Sequence, residues 1–141
     1  MSIYVLDTSA LLAYIENEDG VADVERVLLE TLDDQHKIYV SVVSFIEVFY
    51  ISCQEQGQKV ATERMQFLKD LPLIQEPLNE KFIEVVGALK ASHTMSFADC
   101  CIAGLAKEKN AVLIHKDPEF EQVEKDFFQL KLPYKIRSAG K

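Results

Sequence analysis

The sequence predicts an α/β fold with a central parallel sheet of four to five strands and helices on both faces. Short apolar runs suited to strands alternate with longer segments of helical periodicity. The 141 residues show no internal repeat, low-complexity segment or linker, and their number is typical of one domain. We therefore expect a single domain over residues 1–141, with a frayed tail at 134–141.

The strand predictions rest on short runs rich in β-branched and aromatic residues. The first run, SIYVLD, ends on Asp7, and the third, LPLIQEP, is bracketed by prolines. The predicted strands are residues 2–7, 37–41, 71–77 and 111–115, with 127–133 as a candidate edge strand.

The helix predictions rest on apolar residues recurring at three- and four-residue steps, as in Val21, Val24, Val27 and Leu28. Gly57 is expected to end the mostly buried third helix, and Asn79 to cap the fifth. The predicted helices are residues 9–18, 21–32, 42–56, 58–70, a segment after Asn79 that uses residues 82–89, and 97–109.

The charge balance limits the function. A formal net charge of −8 argues against a protein that coats nucleic acid, because such binding usually needs a basic surface. An enzyme that acts on nucleic acid is still compatible, since carboxylates gathered around a metal would themselves make the chain negative. Apolar residues at 48% are sufficient for a core.

Three features of the sequence indicate a cytoplasmic protein. The N-terminus lacks the basic segment and cleavage site of a signal peptide. The longest apolar run, residues 38–53, is too short to span a membrane and contains Glu47. Three cysteines are an odd number without an export signal, so we expect reduced thiols.

Isolated acids in apolar segments are the main functional signal. Glu47 is the only charged residue between Ile38 and Cys53. Asp7 is the only one between residues 2 and 15, and Asp99 the only one between residues 91 and 106. A fourth acid, Asp117, comes just after the apolar run AVLI. A buried carboxylate is costly unless it is paired, hydrogen-bonded or bound to metal.

Most of these acids also have an ordinary structural interpretation. Asp7 or Thr8 could cap the first helix, Asp99 could favour a helix dipole, and Asp117 with Pro118 forms a common turn pair. Glu47 has no such interpretation, because a mid-helix glutamate with apolar neighbours caps nothing. The four acids together are harder to explain than any one of them.

Asp7 and Asp117 both follow predicted strands, and active sites of parallel sheets lie at the carboxyl ends of strands. If the four acids converge there, carboxylates about 5 Å apart repel by roughly 3 kcal/mol per pair. A cation would relieve this repulsion, and oxygen ligands without histidine or thiolate favour Mg²⁺ or Mn²⁺. Such ions activate water for phosphodiester hydrolysis.

Four segments, in order and at the expected spacing, resemble the PIN-domain ribonucleases, and in particular the VapC-like toxins of toxin–antitoxin pairs. They are VLDTSALLAYI, SVVSFIEVFY, SFADCCIAGLAKEKN and AVLIHKDPEFE. The resemblance implies a three-layer α/β/α PIN-like fold and an endoribonuclease that depends on Mg²⁺ or Mn²⁺. By motif, Asp7 is the first acid and a direct metal ligand. Glu47 is the second acid, Asp99 the third and Asp117 the fourth.

The resemblance also implies surrounding residues and partners. Thr8 or Ser9 falls where the family often has a hydroxyl near the site. Relatives often carry threonine or serine before the final acid, whereas this chain has His115 and Lys116. His115 is a candidate for phosphate stabilisation, proton transfer or a purely structural role, and Lys116 for a phosphate contact or an ordinary exposed position. The implied partners are an RNA substrate, a small antitoxin and a second copy of the chain.

Other enzyme classes fit less well. A cysteine hydrolase could use Cys100 or Cys101 with His93 or His115, although adjacent helical residues point about 100° apart and cysteine is common in cores. Zinc-site spacing and the DxDxT motif of aspartate phosphatases are absent. Three alternatives share the expected fold: a PIN nuclease for RNA processing, one that cleaves DNA, and a non-catalytic PIN scaffold.

Overall fold

The computed structural model describes residues 2–135 and contains a five-stranded, all-parallel sheet. The strands are β1 (Ser2–Leu6), β2 (His36–Ser41), β3 (Ile74–Glu76), β4 (Val112–His115) and β5 (Gln129–Lys131). Their spatial order is β3-β2-β1-β4-β5. The prediction of four to five parallel strands is confirmed, including the edge strand near the C-terminus.

Six α-helices and two short 3₁₀ helices connect these strands. The α-helices are α1 (Thr8–Ile15), α2 (Val21–Leu32), α3 (Val42–Gln56), α4 (Gln58–Lys69), α5 (Ile83–Ser92) and α6 (Phe97–Lys109). The 3₁₀ helices span Glu80–Phe82 and Pro118–Val123. Gly57, at φ +93°, ends α3 as expected, because this left-handed region suits glycine. The expectation that α3 is mostly buried is wrong, because only Ser44, Val48 and Ser52 are buried. Asn79 caps the 3₁₀ turn that leads into α5.

Two cores lie on opposite faces of the sheet. Val5 of β1 packs with residues of α5 and α6, whereas the next residue, Leu6, packs with residues of α1 and α2. Leu113 and Ile114 of β4 divide in the same way. Successive strand residues point to opposite faces, so apolar runs in these strands supply both cores. The three-layer α/β/α prediction is confirmed.

The strand order reverses between β1 and β4. From β1 the chain proceeds outward to β2 and β3, and then returns to place β4 and β5 on the other side. The carboxyl ends of β1 and β4 are therefore adjacent, and the Asp7 N–H donates to the Ile114 carbonyl at 3.1 Å. This is the position where parallel sheets place their ligand sites.

The C-terminal segment contacts two parts of the fold. The Tyr134 hydroxyl donates to a Glu121 carboxylate oxygen at 2.9 Å, and the Lys135 ammonium lies 2.8 Å from Glu18. The remainder of the tail expected to fray, residues 136–141, lies outside the described residues. Within residues 2–135, no helix has the length and apolar character needed to cross a membrane.

Two helical glycines differ in their surroundings, which gives a matched test of how α5 packs on α6. A Cβ on Gly104 of α6 would lie 2.8 Å from a Val86 methyl, whereas one on Gly87 of α5 would have no neighbour within 4 Å. We expect Gly104→Ala to destabilise the protein by about 1–3 kcal/mol through overpacking. Gly87→Ala should stabilise it by up to about 1 kcal/mol through helix propensity. Urea denaturation measures both, and a stabilised Gly104→Ala protein would show that the two helices are not packed this closely.

Candidate metal centre

Asp7 lies at the end of β1 and caps α1. Its backbone is extended, and its carboxylate accepts from the Ala10 N–H at 2.7 Å and from the Ser9 hydroxyl at 2.7 Å. The side chain is only 2% exposed. Burial raises the pKa of Asp7 to about 7, against the lowering effect of these hydrogen bonds, and the charge of Asp117 adds to the rise. Asp7 is thus a helix cap and also a buried carboxylate near a second acid.

Two hydroxyl groups connect the acids to neighbouring elements. The Ser9 hydroxyl, besides donating to Asp7, accepts from the Lys116 N–H at 2.8 Å, so it ties the end of β1 to the end of β4. The Thr8 hydroxyl donates to Glu47 at 2.6 Å. These contacts place the Ser9 hydroxyl beside Asp7 and the Thr8 hydroxyl beside Glu47.

Glu47 is directed from the middle of α3 towards the start of α1. One carboxylate oxygen accepts from Thr8, and the other lies 3.4 Å from the Tyr50 hydroxyl, one turn further along α3. Its charge is also close enough to Asp99 to raise the pKa of that residue. The Glu47 carboxylate therefore lies at the carboxyl edge of the sheet, beside the start of α1, and not in the core.

The tightest group of acids consists of Asp99, Asp117 and Glu119. Each offers a carboxylate oxygen, and the three oxygens lie within 4.8 Å of one another. Asp99 is in the first turn of α6, Asp117 follows β4, and Glu119 is in the second 3₁₀ helix. Burial is the largest cause that raises the pKa of Asp99 to about 8. The charges of the surrounding acids raise it further, in the order Asp117, Glu119, Asp7 and Glu47. Asp99 thus experiences the charges of the other three predicted acids. The group within 4.8 Å, however, includes Asp99 and Asp117 but neither Asp7 nor Glu47.

Glu119 is the member of this group of acids that the sequence did not identify. It lies in an acid-rich segment, EFEQVEKD, whose composition is typical of a solvent-exposed surface. Its position depends on a local turn, because the Asp117 carboxylate accepts from the Glu119 N–H at 2.9 Å and caps the 3₁₀ helix. The Glu119 carboxylate in turn accepts from the Ser96 N–H beside α6. The turn pair Asp117-Pro118, two residues earlier, was the available signal.

His115 and Lys116 are both turned away from solvent. His115 is fully buried, and each ring nitrogen lies within hydrogen-bond distance of a protein group. The Lys116 ammonium approaches Glu18 at 3.4 Å and donates to the Asp19 carbonyl at 3.1 Å, with its side chain 5% exposed. The interpretation of Lys116 as an ordinary exposed lysine is wrong, because its charge is paired with Glu18 in the loop after α1.

The cysteine hydrolase alternative does not fit this geometry. Cys100 and Cys101 are both buried in the core beside the sheet. Burial raises the pKa of the Cys101 thiol to about 11, whereas a nucleophilic cysteine needs a lowered pKa. His93 directs Nδ1 towards the Leu89 carbonyl at 3.0 Å and not towards a thiol.

The acids at this edge fit a hard divalent cation. The group of Asp99, Asp117 and Glu119 offers only carboxylate oxygens, the ligands that Mg²⁺ and Mn²⁺ prefer. Burial and, to a smaller extent, the charges of neighbouring acids raise the pKa of Asp7 and Asp99, so ionised carboxylates are unfavourable at this edge. A bound cation would offset this cost.

The chain is a three-layer α/β domain with a five-stranded parallel sheet. Its acids lie at the carboxyl edge of that sheet, beside the point where the strand order reverses. The sequence profile of the PIN domain matches residues 4–126. The chain belongs to the PIN domain family. Comparison with curated protein sequences finds no match.

Solved structures share this fold at low sequence identity. A chain of VapBC2 from Rickettsia felis, bound to promoter DNA, has a TM-score of 0.75 at 18% identity, with 93% of this chain and 99% of that chain covered. A chain of DNA-bound VapBC from Salmonella typhimurium has a TM-score of 0.76 at 18% identity, with 93% and 98% covered. VapC20 from Mycobacterium tuberculosis, a toxin that cleaves the sarcin-ricin loop, has a TM-score of 0.66 at 16% identity, with 86% and 95% covered.

The raised pKa of Asp7 predicts how stability depends on pH once metal is removed by a chelator. An unfolded aspartate ionises near pH 4, whereas the folded one ionises near pH 7. The unfolded state therefore binds fewer protons between these values, and stability falls as pH rises through them. Asp7→Asn removes this loss while keeping an amide oxygen to cap α1.

We expect Asp7→Asn to be more stable than the chelated wild type at pH 8 by on the order of 2–4 kcal/mol, with a much smaller difference at pH 4. Asp33→Asn, at an exposed acid after α2, should show no such pH-dependent gain. Thermal melts of the three proteins at both pH values measure this. An equal response of the two variants would contradict the burial of an acid at position 7.

Proposed function

We propose that this PIN domain is a metal-dependent endoribonuclease that hydrolyses RNA phosphodiester bonds, and that it is the toxin of a toxin–antitoxin pair. The observation that carries the proposal is the group of carboxylates formed by Asp99, Asp117 and Glu119, with Asp7 and Glu47 around it. Ionised carboxylates at this density are unfavourable unless some bind protons or a cation lies among them. The carboxyl edge of the sheet is where such a site is expected.

The residues proposed to hold Mg²⁺ or Mn²⁺ are Asp7, Glu47, Asp99 and Asp117, to which we add Glu119. When bound, the ion supplies Lewis acidity, which lowers the pKa of water and offsets charge on the phosphodiester. The chain supplies orientation, because Ser9 and Thr8 direct the carboxylates of Asp7 and Glu47 by hydrogen bonds. Asp99, Asp117 and Glu119 remain partly exposed, so a solvent-borne substrate can reach them.

RNA is the proposed substrate for two reasons. VapC20, which shares the fold, is described as a toxin that cleaves the sarcin-ricin loop. The motif order DTS, E, D and D also resembles that of PIN-domain ribonucleases. DNA cleavage and RNA processing without an antitoxin are the alternatives, and cleavage assays on matched RNA and DNA strands separate them.

A small antitoxin is the proposed protein partner, together with a second copy of this chain. The support is that the similar structures include toxin–antitoxin complexes such as VapBC and one from Klebsiella pneumoniae. Large exposed apolar side chains, including Leu29, Leu32 and Ile83, agree with surfaces covered by partners. A reducing cytoplasmic location is proposed from the free thiols of Cys53, Cys100 and Cys101.

The nuclease proposal predicts which acids RNA cleavage requires. We expect Asp7→Asn and Glu119→Gln to lower the cleavage rate about 100-fold or more, because metal-based stabilisation is worth several kcal/mol. Glu121→Gln is the matched control, since Glu121 lies in the same 3₁₀ helix but is exposed and contacts Lys131 and Tyr134. Rates are measured on a labelled RNA with saturating Mg²⁺ or Mn²⁺, alongside melting temperatures. Wild-type cleavage by folded Asp7→Asn would refute the assignment and favour a non-catalytic scaffold.

Metal binding predicts a gain in stability that does not depend on substrate. After treatment with chelator, adding Mn²⁺ at 100 times its dissociation constant should stabilise the wild type by about 2.7 kcal/mol. Asp99→Asn should show a smaller shift at the same concentration, because it removes one of the three clustered carboxylates. If saturating Mg²⁺ and Mn²⁺ both leave the melting temperature unchanged, these acids do not form a metal site.

A further inference from the structure

His115 is a buried polar residue two positions before Asp117. It is hydrogen-bonded to the Asp117 backbone and to the uncharged Gln129 side chain. It is fully buried at the end of β4. Its ring packs against Phe120, with centroids 5.0 Å apart, and lies over Tyr134 at 6.1 Å. A side chain enclosed in this way cannot touch a phosphodiester, so the expectation of phosphate stabilisation or proton transfer at the substrate does not fit its position.

The hydrogen bonds of His115 fix its tautomer. The Asp117 N–H lies 3.1 Å from Nδ1, and because a backbone N–H only donates, Nδ1 must accept. The ring proton is therefore on Nε2, which donates to the Gln129 side-chain oxygen at 2.8 Å. The Gln129 amide then donates from its nitrogen to the Phe120 carbonyl at 2.8 Å. In this series of three hydrogen bonds, each donor therefore faces an acceptor.

These bonds bracket the segment that carries two acids of the proposed metal site. Residues 117–120, here called the acid loop, begin at the Asp117 N–H held by His115. They end at the Phe120 carbonyl held by Gln129. The side chains of His115 and Gln129 are hydrogen-bonded to each other, so both ends of the acid loop are fixed to one connected pair.

We propose that His115 and Gln129 are positioning residues, which hold the acid loop at both ends so that Asp117 and Glu119 meet Asp99 within metal-binding distance. This inference rests on the proposed function and adds the residues that preorganise its site. Neither residue is proposed to touch metal or RNA.

The physical reason is that the acid loop carries mutually repelling groups. Asp117 and Glu119 are crowded against Asp99, so their repulsion pushes the acid loop away from α6 before a cation binds. These partly buried hydrogen bonds resist such movement, because breaking them leaves polar groups unpaired.

Two substitutions at one position separate the two bonds. In His115→Asn the amide oxygen can take the place of Nδ1 and accept from the Asp117 N–H. In His115→Gln the longer side chain reaches the place of Nε2 instead and leaves that N–H without a partner. Gln129→Met removes both bonds of the Gln129 amide at similar length and provides a second variant at the other end of the acid loop.

His36 supplies a matched control at the opposite edge of the sheet. Its Nδ1 accepts from the Ser2 N–H at 3.2 Å, which is the same kind of bond, far from the acids. His36→Asn and His36→Gln therefore report the cost to stability of altering a strand histidine without affecting the acid loop.

Two readouts apply to all five variants and the wild type. The first is the Mn²⁺ dissociation constant, from the electron paramagnetic resonance signal of free Mn²⁺. The second is the hydrogen-exchange rate of the Asp117 amide in chelated protein, measured by NMR, which depends on neither metal nor activity. We expect His115→Gln and Gln129→Met to weaken Mn²⁺ binding about 10-fold or more, as for other residues that orient metal ligands. His115→Asn should stay within about threefold, and both His36 variants should match the wild type.

The exchange rate should separate the variants in the same way. Asp117 should be protected in the wild type and in His115→Asn, and should exchange faster in His115→Gln. The proposal is overturned if Mn²⁺ affinity and Asp117 exchange in His115→Gln and Gln129→Met match the wild type. It is also overturned if both variants fail to fold while His36→Gln folds, since the pair would then serve global stability. A wild type that binds no Mn²⁺ would defeat the proposed function instead, and the exchange rates would still decide on the acid loop.

Discussion

Repulsion among carboxylates at the carboxyl edge of the sheet is the constraint on which the rest of the site depends. Asp99, Asp117 and Glu119 offer oxygens within 4.8 Å of one another, and Asp7 and Glu47 add their charges. One pair about 5 Å apart costs roughly 3 kcal/mol at an effective dielectric constant near 20. A domain of this size is stable by only about 5–15 kcal/mol, so these acids need either protons or a cation.

The fold resists this repulsion with hydrogen bonds from several elements. Ser9 joins the Asp7 carboxylate to the backbone after β4, and Thr8 holds Glu47 from the start of α1. His115 and Gln129 hold the acid loop from the interior. These hydrogen bonds hold the acids together, so a cation would meet ligands that are already arranged. Arrangement before binding is what allows electrostatic stabilisation to act without reorganisation.

The sequence predicted the features that depend on local pattern and missed those that depend on tertiary position. The parallel sheet and the bounds of α3 and α6 followed from apolar runs and periodicity. The convergence of Asp7 and Asp117 followed from their places after strands. Glu119 was missed because a capped turn aims it at α6, and no periodicity reports such a turn. The burial of Lys116 was also missed, since its partner Glu18 is 98 residues away along the chain.

The central claim is that one divalent cation site unites acids from separate elements of this PIN domain. The most direct measurement is anomalous diffraction from crystals soaked in Mn²⁺, which locates the ion without reference to activity. We expect an anomalous peak in contact with carboxylate oxygens of Asp99, Asp117 and Glu119, on the side that faces Asp7. Fully soaked crystals with no peak at this edge, or with a peak only elsewhere, would contradict it.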